Sequence, residues 1–141
     1  ITILKSNIDE FIIVIPSILS NLIPSANYLL DFIEKKQLNV NTHQLRLCIH
    51  EAILNAMEHA HLWKNEKKVT AKIKIDDNKI IIEITDEGIG LPHDKLKSPL
   101  KKNTSNYLSF RGRGLLIIRS FIDLINYDTD TKMLSMIKYF K

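Results

Sequence analysis

Val69, Ala71, Ile73 and Ile75 recur at every second position of the run VTAKIKI, and Asp76-Asp77-Asn78 then turns the chain into a second run, KIIIEIT. Period-two apolar spacing on either side of an Asp/Asn turn specifies an antiparallel β-hairpin. Such a unit has an apolar face that the rest of the chain must cover, which restricts the fold to layered arrangements. FIIVI (Phe11–Ile15) is short, β-branched and ended by Pro16, so it reads as a further strand. A helical region follows to about Gln37, with Pro24 marking either a break or a new first turn. Asn41 or Thr42 can cap the next helix, expected to run to about Lys64. LLIIRSFIDLI (Leu115–Ile125) has helical periodicity directly after Gly114, and KMLSMIKYF (Lys132–Phe140) reads as a last strand. The order of elements is that of an α+β fold: a two-layer sandwich with a mixed, mainly antiparallel sheet and helices on one face.

With 141 residues, 45% of them hydrophobic, and neither repeats nor a Gly/Ser linker, the chain is expected to form a single domain over 1–141. Cys48 is the only cysteine, which excludes an internal disulfide and a thiolate metal cluster and suits a reducing, cytoplasmic setting. No apolar run approaches the roughly 20 residues that span a bilayer, and ITILKSNIDEF has no signal-peptide layout, although the chain begins without Met. The net charge of +4, with lysines gathered at Lys64–Lys74 and Lys95–Lys102, suits an acidic partner or a polyphosphate. A solvated lysine face accounts for it as well, and no nucleic-acid-reading motif accompanies it.

The helix HEAILNAMEHAH (His50–His61) carries Glu51, Asn55 and His59 at intervals of four. At about 100° per residue they occupy an arc of about 80° between apolar borders, one holding Ile49, Ala52, Ile53, Ala56 and Ala60, the other Leu47 and Leu54. A carboxylate and an amide there are expected at a cleft where a cation or donor meets them. By itself the pattern also fits an exposed helix face, with His59 a hydrogen-bonded structural histidine. Zinc is excluded because the second His of H-E-x-x-H is missing. An Asn and a Glu one turn apart suit Mg²⁺, a hard ion held by few side chains and by phosphate oxygens.

Two glycine loops follow. In DEGIGL (Asp86–Leu91), Gly88 and Gly90 permit a sharp turn and close backbone approach, and Asp86 can accept a hydrogen bond. In RGRGLLIIRSF, Gly112 and Gly114 precede a helix whose unpaired amides form an anion site. Either loop alone is equally a plain turn, and no Walker phosphate loop exists in the chain.

Taken in order, Glu51-x-x-x-Asn55-Ala56-x-x-His59, Asp86-x-Gly88-x-Gly90 and Gly112-x-Gly114-Leu115 resemble the N box and two glycine boxes of the histidine-kinase-like (GHKL, or Bergerat-fold) ATPases. The short length, the HEAILNAMEHAH segment and the RGRGLLIIRSFIDLINYDTD ending look most like the anti-sigma-factor serine/threonine kinases of that superfamily. The resemblance implies an ATP-dependent kinase that sequesters a sigma factor and phosphorylates an anti-sigma antagonist, with ATP and Mg²⁺ as cofactors and a homodimer as a possible state. It implies Asn55 as the Mg²⁺ ligand and Glu51 as the base that takes a proton from a serine hydroxyl. Asp86 would receive the adenine amino group, with Gly88 and Gly90 shaping the pocket wall. Gly112, Arg113, Gly114 and Leu115 would wrap the phosphates, with Arg111 and His59 also at the nucleotide. Residues 91–111 would form a lid, whose Lys101 and Lys102 are phosphate candidates or ordinary surface lysines. Family members often carry Gly-Thr before the last strand; Asp130-Thr131-Lys132-Met133 has no such glycine, so that role is unassigned. Two alternatives stay open: an ATP-binding switch without appreciable transfer, and the catalytic domain of a histidine kinase. The latter needs a phosphoacceptor His on a dimerising helical hairpin, and none precedes the N box.

Overall fold

The computed structural model describes residues 1–60, 67–86 and 114–140. Six strands form one sheet in the order β1-β2-β3-β4-β6-β5, and every ladder among them is antiparallel. They are β1 (Thr2–Ser6), β2 (Glu10–Pro16), β3 (Lys68–Ile75), β4 (Lys79–Asp86), β5 (Leu124–Asp128) and β6 (Met133–Tyr139). Three helices accompany them: α1 (Leu22–Glu34), α2 (Thr42–Asn55) and α3 (Gly114–Phe121), with α2 continued by one π turn over Ala56–Ala60. The α+β architecture expected from the order of elements is the one observed.

Strand alternation decides which side of the sheet is covered. Phe11, Ile13 and Ile15 of β2, Val69, Ala71, Ile73 and Ile75 of β3, and Ile80, Ile82 and Ile84 of β4 are buried, while the intervening residues are half-buried or exposed. The helices supply the matching stripes. In α1, Leu22, Ala26, Leu29, Leu30 and Ile33 recur at helical spacing and are all buried, and Phe32 stacks on Phe11 of β2 at 5.2 Å between ring centroids. Pro24 lies in the first turn of α1, where its missing N–H costs nothing. Asn41 is the N-cap of α2, its side-chain oxygen accepting from the Gln44 N–H at 3.0 Å. Leu45, Ile49, Ala52 and Ile53 carry α2 into the core, and α2 packs against both α1 and α3.

Three features differ from the expectation. The helix beginning at Gly114 stops at Phe121, and Asp123 then enters the sheet, its N–H donating to the Ile137 carbonyl at 3.0 Å. The residues Leu124 and Ile125, expected to close the helix, instead open β5, with Ile125 and Tyr127 turned into the core. FIDLI fits a helical or an alternating pattern equally, and pairing with β6 selects the latter. At the other edge, β1 has no buried residue, so no apolar period marked it; it exists through pairing with β2, broken by a bulge between Ile3 and Lys5. Finally, regular α-helix ends at Asn55 and gives way to the π turn, while 61–66 lie outside the described residues.

On the open side of the sheet, Glu10 is paired with Lys5 and, at 3.0 Å, with Lys72, whose ammonium also lies 4.0 Å from Glu83. Hydrogen bonds from Lys5 and then Lys72 hold the Glu10 carboxyl down at about 2.

Candidate functional site

Asn55 is the last residue of α2 and is 3% exposed, and its Oδ1 has no hydrogen-bond partner among the described residues. Buried carbonyl oxygens are almost always paired, because an orphan forfeits hydration worth about 1–3 kcal/mol. The location adds to the anomaly: the chain changes to a π turn at the next residue, and isolated π turns are rare and cluster at functional sites. Glu51, one turn earlier, is half-buried. Of the stripe expected to border a cleft, Glu51 is thus half-buried and Asn55 buried, with an Oδ1 that has no partner among the described residues.

The π turn packs against β4, the strand that ends at Asp86. Asp86 is 8% exposed and occupies the helix-facing side, following Ile80, Ile82 and Ile84. Its backbone N–H donates to the carbonyl of Lys132 at 3.3 Å, tying the end of β4 to the turn before β6. α3 begins at Gly114 and packs against α2, where the Cys48 Sγ lies 4.0 Å from the Ile117 carbonyl oxygen. Burial, assisted by the charge of Glu51, pushes the Cys48 thiol up to about 12, so it is an inert packing group at neutral pH. The helix of Asn55 therefore adjoins both the strand of Asp86 and the helix that Gly114 opens.

Gly88, Gly90, Arg111, Gly112 and Arg113, together with the expected lid over 91–111 and its Lys101 and Lys102, lie outside the described residues. His59 belongs to the π turn and Leu115 to α3, but their side chains also lie outside the description. Lys132, in the turn before β6, meets Asp86 through its backbone carbonyl, a contact between distant segments that the sequence did not indicate.

The donor set fits a hard cation. Asn55 Oδ1 is a hard oxygen atom without a competing donor among the described residues, and Glu51 is one turn away. Among the described residues no three His, Cys, Asp or Glu side chains gather as a metal site.

The pattern of the histidine kinase-like ATPase domain matches residues 23–138, and the chain belongs to that family. It is 27% identical over 99 residues to the anti-sigma F factor of Bacillus subtilis, covering 70% of this chain and 67% of that protein. It is 28% identical over 91 residues to an anti-sigma F factor of Bacillus licheniformis, covering 64% of this chain but only 62% of the relative's length. With the serine-protein kinase RsbW of Staphylococcus aureus it shares 30% identity over 102 residues, 68% of this chain and 64% of the relative. No helix among the described residues is long and apolar enough to cross a membrane.

Proposed function

We propose that the protein is an ATP-dependent serine/threonine kinase of a partner-switching system, which holds a sigma factor and phosphorylates the antagonist that competes for it. The observation that carries this reading is the buried Oδ1 of Asn55, without a hydrogen-bond partner among the described residues, one turn beyond the half-buried Glu51. The names of the anti-sigma F factors and of the serine-protein kinase support the choice of partners.

In this mechanism Asn55 Oδ1 would hold Mg²⁺, which when bound would supply charge neutralisation at the phosphate oxygens. Glu51 accepts the proton of the antagonist's serine hydroxyl as that oxygen bonds to the γ-phosphorus. The bond from the γ-phosphorus to the β–γ bridging oxygen breaks, and ADP leaves with the electron pair. Asp86 accepts a hydrogen bond from the adenine amino group, and the backbone amides that open α3 at Gly114 face phosphate, aided by Gly112 and Arg113. Phosphoryl transfer depends on positioning and electrostatics more than on covalent chemistry, so these few side chains suffice, with the base contributing about 10² to 10⁴ in rate.

The test is transfer from labelled ATP to a purified antagonist. Glu51→Gln should lower serine phosphorylation about 10² to 10⁴-fold with ATP affinity nearly unchanged. Undiminished transfer removes Glu51 from the base role. ATP binding without any transfer by the wild type would instead identify an ATP-governed switch.

A further inference from the structure

Burial at the C-terminal end of α2 does not follow the α-helical wheel. Leu45, Ile49, Ala52 and Ile53, all buried, fall within an arc of about 100°. A helix continued beyond them would carry Ala56 back to the middle of that arc and Met57 past its edge. Instead Ala56 is half-buried and Met57 is fully buried. The π turn accounts for the exchange: with i→i+5 bonding it takes steps of roughly 80° rather than 100°, which swings Met57 back toward Ile53. The same turn begins at the residue after Asn55 and packs against β4, the strand that ends at Asp86. The orientation of Asn55 relative to Asp86 therefore passes through the turn that Met57 anchors. An unbranched side chain with three rotatable bonds suits the irregular space beneath such a turn.

We propose that Met57 is a positioning residue for Asn55: its burial selects the π turn over continued α-helix and thereby holds Oδ1 where it takes a cation. This rests on the reading that Asn55 binds Mg²⁺. The same volume one position earlier favours the α-helix, because in that form position 56 is the more deeply buried. The order Ala56-Met57, and not merely the apolar volume of the pair, is what the site requires.

The experiment exchanges the two residues. The double variant Ala56→Met, Met57→Ala is compared with Met57→Ala, Met57→Leu and Asn55→Ala, and ATP dissociation constants are measured by calorimetry with and without Mg²⁺. The exchange should keep the metal-free affinity of the wild type and lose about 10- to 100-fold of the gain that Mg²⁺ brings, the effect typical of groups that orient a metal ligand. Met57→Ala should lose part of that gain, and Met57→Leu, close in volume, should retain it. A merely structural role would lower both affinities together, and that result overturns the proposal. So does a folded exchange variant with the full Mg²⁺ gain; if the exchange does not fold, the full gain in Met57→Ala overturns it instead. A wild type without any Mg²⁺ gain, or an Asn55→Ala protein that keeps it, has a separate meaning: the reading of Asn55 fails, whatever the exchange shows.

Discussion

Two asparagines bracket α2, and their side-chain oxygens meet opposite fates. At the N-terminus the exposed Asn41 accepts from the Gln44 N–H, satisfying an amide that the helix geometry leaves over. At the C-terminus Asn55 is almost fully buried, and its Oδ1 accepts from none of the described residues. The same residue type thus caps the fold at one end and, at the other, buries an oxygen that no described residue satisfies. A polar group whose partner is supplied by its own chain is explained by stability. The proposed function gives the other a ligand.

The largest change in stability should come from neither asparagine. Ile53 is fully buried in the body of α2, and Ile53→Ala should cost about 2–5 kcal/mol in denaturant unfolding. A smaller loss would mean that α2 is held by its ends rather than its core face. Asn41→Ala should cost about 1 kcal/mol and leave nucleotide binding untouched, with Asn41→Ser close to wild type. Asn55→Ala should leave the unfolding free energy of the nucleotide-free protein unchanged or raised, since it removes an oxygen whose unmatched burial is unfavourable. A cost as large as that of Asn41→Ala would reveal an internal partner and break the contrast between the two ends.

The smallest effect belongs to the open side of the sheet, where Glu10 resembles Asn41 in finding its partners within the chain. Its carboxyl sits at about 2 in the folded protein, below the ordinary 4.5. The depressed value means that its contribution to stability is full above about 4.5 and is lost as pH falls through about 2. Glu10→Gln should flatten the acid limb of the stability curve in that window, and added salt should do the same to the wild type because the group is solvent-screened.

Legibility in the sequence followed how strongly each element's own residues imposed a period. The β3–β4 hairpin and a helical region before Gln37 were visible, and Asn41 was one of two capping candidates with Thr42, because alternation and a capping residue each act locally. β1 buries nothing and is held by its neighbour's backbone, so its side chains carry no record of it. β5 was hidden because Leu124 and Ile125 extend the apolar spacing of α3 as readily as they begin a strand. The π turn left no trace either, since AMEHA continues the helical pattern while the hydrogen bonding lengthens by one residue. Asn55 and Asp86 were picked out as polar residues at the ends of apolar elements, and the structure buries both. The backbone bond from Asp86 to Lys132 was not foreseen, because it depends on a contact between distant segments and on a left-handed backbone that a lysine does not announce.

The most direct test is calorimetry of ATP binding with and without Mg²⁺, on the wild type and on Asn55→Ala. If Asn55 Oδ1 is the ion's ligand, Mg²⁺ should strengthen ATP binding by the wild type, and most of that gain should vanish in the variant while its metal-free affinity stays the same. An Asn55→Ala protein that keeps the full Mg²⁺ effect would contradict the assignment and leave the unpartnered oxygen without an explanation.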